Sequence, residues 1–227
     1  MIATPDQLIL DLAQRPALGA EDFLISGSNR AAADMIDLWP HWPHASVVVV
    51  APPGAGKTHL ANVWRLRSGA ARLEARALGE REVEGAKGAL LVEDLHAGIA
   101  EERALFHLLN LVREHKTSML LTSRAPPGEL DVTLPDLRSR LRALPLVAIS
   151  PPDEALLKAV LVKHFADRQL AVEPHVVNHI ALHMERSMEA AAVIVAAIDR
   201  AAMASHRKVT RAMVAEVMAS QQGAGQR

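Results

Sequence analysis

Short apolar runs alternate with amphipathic segments along the first two thirds of the chain. The runs lie at residues 46–51, 89–92, 118–122 and 144–149, with a weaker one at 71–74. Such runs are typical of buried parallel strands, and the segments between them carry helical periodicity. Helices are predicted at residues 29–39, 58–67 and 101–115. The alternation predicts an α/β fold, with a parallel five-stranded sheet between helices.

The pattern changes after Ser150-Pro151-Pro152, because every later segment has helical periodicity. Helices are predicted at residues 153–168, 173–183, 187–206 and 210–219. Asp153, Ser187 and Thr210 are suitable N-caps for three of them. We therefore expect an arm at residues 1–20, an α/β nucleotide-binding base at 21–150, a small helical lid at 151–220 and a flexible tail at 221–227.

Composition refines this picture without changing it. Half of the 227 residues are hydrophobic but only 3% are aromatic, so the core is aliphatic. The formal charge of −1 provides no overall basic field for nucleic acid. The chain has no cysteine, which excludes disulfides and thiolate metal sites. No signal peptide or membrane-length apolar run is recognisable, so a cytoplasmic location is expected.

The segment Ala51-Pro52-Pro53-Gly54-Ala55-Gly56-Lys57-Thr58 follows a predicted strand and opens a predicted helix. Glycines let successive backbone N–H groups point towards an anion, and the helix adds the positive end of its dipole. Lys57 can reach the β- and γ-phosphates, and Thr58 can hold Mg²⁺. Ala51 stands where the pattern has its first glycine. The segment predicts a P-loop for ATP or ADP with Mg²⁺.

An acidic pair, Glu93 and Asp94, follows the apolar run at residues 89–92. The carboxyl ends of parallel strands are where ligands bind in open α/β sheets. Glu93 is therefore a candidate Mg²⁺ ligand, and Asp94 a candidate to polarise an attacking water. Such ATPases usually have Asp first, and the shorter Asp94 reaches less far. Two solvated acids at a strand end remain the alternative, more so for Asp94 than for Glu93.

Together these motifs resemble those of the AAA+ family, in the branch of the replication initiator DnaA and its related inactivators. The resemblance covers residues 5–218 and is carried by residues 22–30 (DFLISGSNR), 56–60 (GKTHL), 120–127 (LLTSRAPP), 134–141 (LPDLRSRL) and 207–210 (RKVT). It implies an adenine side at Phe23, Leu24 and Asn29, and a phosphate side at Pro53, Gly54, Ala55, Gly56, Lys57, Thr58 and His59. It further implies Ser123 as a sensor residue and Arg140 as an arginine finger acting in trans.

The resemblance implies a regulator that holds a nucleotide, taken to be ADP, and stimulates ATP hydrolysis by DnaA. Arg140 would face the partner's γ-phosphate, with Arg138 and Arg142 beside it. Glu189 stands where the family has a sensor-2 arginine, and a carboxylate there repels a phosphate. Weak intrinsic ATPase activity is therefore expected. A self-sufficient P-loop ATPase such as a helicase loader, and a non-catalytic nucleotide-gated adaptor, remain alternatives.

The first apolar segment is Gln7-Leu8-Ile9-Leu10-Asp11-Leu12. The residues alone favour an edge strand. The resemblance instead implies a peptide that binds the DNA sliding clamp (the β subunit) through Gln7, Leu8, Leu10 and Leu12, although Asp11 stands where proline is common. DNA contact is expected only through that clamp, at the replisome, because the chain ends at Arg227 without a DNA-binding domain after the lid. Self-association is left open.

Overall fold

The computed structural model describes residues 23–205 and 207–224. Its strands are β1 (Ser46–Val50), β2 (Ala71–Glu74), β3 (Leu90–Glu93), β4 (Met119–Ser123) and β5 (Leu146–Ala148). Its helices are α1 (Arg30–Leu38), α2 (Lys57–Ser68), α3 (Glu80–Glu84), α4 (Glu102–Glu114), α5 (Pro135–Ala143), α6 (Glu154–Asp167), α7 (Pro174–His183), α8 (Met188–Ser205) and α9 (Arg211–Ala224). One compact unit holds residues 27–151, and another holds residues 152–224 together with Leu24–Ser26.

The described strands of the first unit form one parallel sheet in the order β2-β3-β4-β1-β5. The predicted α/β fold with five parallel strands is confirmed, and each apolar run forms a strand. β1 and β4 are buried at every position because both have neighbours on each side. β2 and β5 lie at the edges and are largely exposed, which explains why the apolar run of β2 is weak.

Side chains of the central strands alternate between two hydrophobic clusters, as the period of a strand requires. Val48 and Val50 of β1 pack in one cluster with residues of α4 and α5, including Leu105 and Leu141. Alternate residues of the same strand pack in the other cluster, with residues of α1 and α2. The sheet therefore lies between helices that cover its two faces. The carboxyl ends of its strands, where ligands bind in such sheets, are the place to look for a site.

Two helices of this unit were not among the helices predicted from the sequence. α3 has no buried residue, so it leaves no apolar periodicity to detect. α5 buries Leu137 and Leu141, one turn apart, and begins with Pro135 in its first turn. Its other positions are mostly charged or polar, so its apolar stripe is too short to stand out.

The second unit is helical from α6 to α9 and has its own aliphatic core. The predicted caps are confirmed: Asp153 Oδ1 accepts from the Leu156 N–H at 2.8 Å, and Ser187 Oγ accepts from the Ala190 N–H at 3.0 Å. Thr210 Oγ1 accepts from the Met213 N–H at 3.3 Å. α9 extends beyond the end predicted for it.

The predicted arm and its apolar segment lie outside the described residues. Among the helices that are described, none combines the length and the apolar character needed to cross a membrane.

Candidate nucleotide-binding site and arginine finger

The predicted P-loop connects β1 to α2 and has the backbone of an anion-binding turn. Gly54 has φ 68° and Gly56 has φ 91°, both in the left-handed region that favours glycine. A Cβ on Gly56 would meet nothing within 4 Å, so backbone conformation is the reason for glycine there. α2 starts at Lys57, so its first N–H groups and its dipole adjoin the loop. This geometry fits the phosphates of a nucleotide.

Ala51 departs from the usual pattern without disturbing the loop. Its N–H donates to the Ser123 carbonyl at 3.1 Å, which ties the end of β1 to β4. The residue is 1% exposed, so its methyl group packs in the core. The tight part of the turn is made by the glycines that follow.

The phosphate-loop lysine is paired with one of the two predicted acids. Lys57 Nζ lies 2.8 Å from Asp94 Oδ1, and the lysine is 7% exposed. The Asp94 N–H donates to Thr122 Oγ1 at 3.1 Å, which fixes the start of the turn after β3. Burial raises the pKa of Asp94, but the hydrogen bond and the charge of Lys57 outweigh burial and hold that pKa below its ordinary value. Lys57 is thus held by Asp94.

The other predicted acid is paired with an arginine that the sequence analysis did not single out. Glu93 Oε2 accepts from Arg72 Nε, and the side chain of Glu93 is only 4% exposed. The hydrogen bond and the charge of Glu93 raise the pKa of Arg72 above its ordinary value. The role of Glu93 as a Mg²⁺ ligand stays a prediction, and this ion pair argues against it, since the carboxylate already has a cation. No pattern in the weak run at 71–74 indicates this contact, because it depends on the register of β2 against β3.

Two cavities open beside these ion pairs. One, of about 340 Å³, is lined by Thr58, Asn62, Arg65, Arg72, Leu91 and Glu93. The other, of about 320 Å³, is lined by Glu74, Arg76, Glu93, Asp94, His96, Ala97 and Arg124. Thr58, a predicted Mg²⁺ ligand, is exposed and shares a cavity with the Arg72–Glu93 pair.

The remaining residues predicted for the adenine side and the sensor are Phe23, Leu24, Asn29, His59 and Ser123. The rings of Phe23 and His59 meet edge to face with centroids 5.4 Å apart, so these two candidates are brought together. Asn29 is 2% exposed and precedes α1, whereas Leu24 lies in the other compact unit. Ser123 is buried at the end of β4, where its Oγ accepts from the Ala125 N–H at 3.2 Å.

Arg140 lies on α5 and contacts two side chains of α4. Its Nη1 donates to Asn110 Oδ1, and its guanidinium carbon lies 4.6 Å from the centroid of the Phe106 ring. Phe106 and Asn110 are one helical turn apart, so both lie on the same face of α4. The sequence analysis missed them because nothing in α4 alone indicates that it faces an arginine. The contacts hold the guanidinium of Arg140 in one orientation.

The neighbouring arginines are engaged differently. Arg138 Nε donates to the Val132 carbonyl at 2.9 Å, so this side chain ties α5 to the preceding loop. Arg142 is exposed, and its Nη2 donates to the Gly128 carbonyl at 3.3 Å. Of the three arginines on α5, Arg140 donates to a side chain of another helix in the described part of the chain, whereas Arg138 and Arg142 donate to backbone carbonyls.

The start of α5 is anchored to the start of α4 through Glu102. The Glu102 carboxylate accepts from the Thr133 N–H at 2.7 Å, the Thr133 hydroxyl at 3.0 Å and the Leu134 N–H at 2.6 Å. A carboxylate at this position also interacts favourably with the positive, amino-terminal end of the α5 dipole. α5 is therefore fixed at its first turn by Glu102 and farther along by the contacts of Arg140.

We expect Glu102→Gln to lower the free energy of unfolding by about 1–2 kcal/mol at neutral pH, since charged acceptors make stronger hydrogen bonds. Burial raises the pKa of Glu102, but the bonds from Thr133 and Leu134 outweigh it and lower that pKa below 4.5. The contribution is therefore present above pH 4.5 and is lost as the pH falls through the folded pKa. Denaturant unfolding at several pH values measures it. Glu129→Gln, which changes an exposed carboxylate, is the control, and equal losses in both variants would contradict the role of Glu102.

In the lid unit, Glu189 is exposed in the first turn of α8. Lys158 first, and Arg186 to a lesser degree, lower the pKa of Glu154. Arg186 is therefore an arginine close to the start of α8. Glu189, at the position predicted for the sensor-2 arginine, is acidic.

Comparison with known proteins supports the fold and the lid. A family model described as "Hda, lid domain" matches residues 153–218. The chromosomal replication initiator DnaA of Cutibacterium acnes is 27% identical over 216 residues, which cover 80% of this chain and 42% of that protein. This chain therefore spans about two fifths of the length of that curated relative.

Solved structures of DnaA share the fold. Domain III of Thermotoga maritima DnaA has a TM-score of 0.77 at 17% identity, covering 88% of this chain and 95% of that one. AMPPCP-bound DnaA from Aquifex aeolicus has a TM-score of 0.64 at 18% identity, covering 78% of this chain and 63% of that one. Taken with the parallel sheet and the match of the lid, these likenesses show an AAA+ fold like that of DnaA and support a DnaA-related protein whose lid is similar to that of Hda.

Proposed function

We propose that this chain, with a nucleotide in its P-loop, binds ATP-loaded DnaA and stimulates hydrolysis of that ATP, which prevents re-initiation of replication. The observation that carries the proposal is the setting of Arg140. Arg140 is on α5, and its guanidinium is held by Phe106 and Asn110 of α4. The P-loop of this chain is formed by different elements, between β1 and α2. The likeness of the lid to Hda and of the chain to DnaA supports a partner of the same family.

An arginine supplied by a partner is effective chemistry for phosphoryl transfer. The transition state spreads negative charge over the equatorial oxygens of the transferred group, and a guanidinium placed there neutralises it. Such a residue is worth about 10³–10⁵ in rate. The orientation of Arg140 by α4 reduces the entropy lost when it engages the partner's phosphate.

The nucleotide of this chain has a binding role in the proposal. The phosphates fit the loop at Gly54 and Gly56 and the start of α2, and Lys57 would exchange Asp94 for a phosphate oxygen. ADP is the proposed resident nucleotide, and a Mg²⁺ ion arriving with it would find the hydroxyl of Thr58. The likeness to AMPPCP-bound DnaA is consistent with nucleotide binding. Pairing of Glu93 with Arg72 supports weak intrinsic turnover.

The proposal is tested with the purified chain, ATP-loaded DnaA and sliding clamp loaded on DNA. Conversion of the DnaA-bound ATP to ADP is measured with each component left out in turn. We expect rapid conversion only when all components are present. Robust turnover by the chain with ATP alone would instead favour the self-sufficient ATPase. Binding to DnaA that leaves the ATP intact would favour the adaptor.

Clamp tethering rests on the sequence of residues 7–12. We expect the double change Gln7→Ala and Leu10→Ala to remove binding to the sliding clamp, because an amide anchor and a buried leucine are lost together. Surface plasmon resonance against immobilised clamp measures this. ADP affinity should stay unchanged. Full clamp binding by the double variant would return the segment to the edge-strand interpretation.

A further inference from the structure

We propose that Arg72 is the permanent counter-charge of Glu93 and occupies the place of a divalent cation at this acid. Binding of a nucleoside diphosphate to the chain is then independent of any metal held by Glu93. The inference rests on the proposed nucleotide binding and deepens it, since it concerns which cation accompanies the nucleotide.

The first argument is the burial of the carboxylate. Glu93 has 4% of its side chain exposed, and an ionised carboxylate at that depth requires a partner. Arg72 provides one through its Nε on Glu93 Oε2. The arginine is itself 55% exposed, so most of its hydration is kept and the pairing costs it little.

The second argument is the register of β2 and β3. Arg72 lies opposite Leu91 and Glu74 lies opposite Glu93 in this parallel pair. Because side chains alternate between faces, these four residues lie on one face of the sheet. Arg72 therefore reaches along the strands, diagonally, to the acid at the carboxyl edge. The contact is built from backbone pairing within one sheet, so it does not depend on a loop.

The third argument is the difference between the two acids. Asp94 is paired with Lys57, which nucleotide phosphates would recruit, so their arrival releases Asp94. Arg72 lies on β2, outside the P-loop, so phosphates bound in the loop do not break the Arg72–Glu93 pair. Arg72 also lines the cavity that contains Thr58. A Mg²⁺ ion approaching Glu93 from Thr58 would meet a guanidinium, and like charges at contact distance repel.

The test measures metal binding directly, with Mn²⁺ as the probe. The electron paramagnetic resonance signal of free Mn²⁺ reports its affinity for ADP alone and for the wild-type protein–ADP complex. We expect the two affinities to agree within about threefold, and the ADP dissociation constant to change by no more than about threefold when EDTA replaces Mg²⁺. Mn²⁺ bound about tenfold more tightly by the complex, with the gain lost in Glu93→Gln, would overturn the proposal.

Variants of the ion pair give a second, independent readout. Arg72→Met should raise the affinity of the ADP complex for Mn²⁺ by about tenfold, because it leaves a buried carboxylate without its cation. The double variant Arg72→Met, Glu93→Gln should return the affinity to the wild-type value. Arg65→Met is the matched control, because Arg65 lines the same cavity but donates to Asn62 at 3.0 Å. An equal gain in both single arginine variants would overturn the specific role of Arg72.

The comparison of the wild-type complex with ADP alone does not use Arg72→Met, so it stands even if that variant does not fold. The double variant has no buried carboxylate at position 93, so an unpaired buried charge cannot be the cause if it fails to fold. If the wild-type chain binds no ADP with or without Mg²⁺, the proposed nucleotide binding itself is overturned. If it binds ADP with Glu93-dependent metal affinity, only the role of Arg72 fails.

Discussion

An Arg140→Ala variant should stimulate ATP hydrolysis by DnaA about 10³-fold less than the wild-type chain, and more if the finger provides the full effect. The guanidinium is the only part of this side chain that can neutralise charge on a transferred phosphoryl group. Truncation to Ala keeps the helix, because α5 is packed through the buried residues Leu137 and Leu141. Single-turnover conversion of DnaA-bound ATP, in the presence of loaded clamp, measures the effect.

Arg142→Ala is the matched control for this experiment. It removes the same functional group from the same helix, but Arg142 is exposed and donates to the Gly128 carbonyl. We expect it to stimulate DnaA almost as well as the wild type. Asn110→Ala should lie between the two, since it leaves the arginine in place but removes the acceptor that orients it. Stimulation by Arg140→Ala equal to that by the wild type would refute the finger assignment.

A Lys57→Ala variant should bind ADP about 10- to 100-fold more weakly, since it loses a charge-assisted bond worth about 1.5–3 kcal/mol. The loss is increased by Asp94, which then faces the phosphates without its cation. Isothermal titration calorimetry with ADP measures the change. Thermal unfolding without nucleotide checks that the variant is folded, because Lys57 is a buried charge.

Asp94→Asn is the informative companion to Lys57→Ala. It breaks the ion pair from the other side and leaves the lysine available, so we expect ADP binding to be maintained or tightened a few-fold. Lys57→Ala should therefore weaken ADP binding, whereas Asp94→Asn should not weaken it. Equal weakening in both variants would mean that the pair holds the shape of the loop, and that Lys57 does not bind phosphate.

The parts of the fold that could be predicted are those that leave a signal within a short stretch of sequence. β1 and β4 are buried throughout and mostly apolar because they are central, and α4 has a full apolar stripe because it covers the sheet. The caps of α6 and α8 follow from hydroxyl or carboxylate side chains that reach their own first turns. α3 and α5 were not among the predicted helices because the first buries nothing and the second buries only two residues.

The candidate site divides in the same way. The P-loop could be predicted because glycine is needed where φ is positive, at Gly54 and Gly56, and because the lysine follows at a fixed spacing. The acids were found because they follow a strand. Their ion pairs were not found, since nothing in the run at residues 71–74 indicates that its arginine, and not a metal, would meet Glu93, and Lys57 was expected to meet phosphate only.

The sequence by itself thus determined the sheet, the helical lid and the phosphate loop. Each of the three leaves a local signal in the sequence: apolar runs for the strands, helical periodicity for the lid, and glycines before Lys57 for the loop. Only the tertiary structure decided how the charges are paired. Arg72 and Glu93 are 21 positions apart, Arg140 and Asn110 are 30 apart, and Lys57 and Asp94 are 37 apart. Such pairs exist only because strand register and helix packing bring distant side chains within hydrogen-bonding distance, where burial makes each charge require a partner.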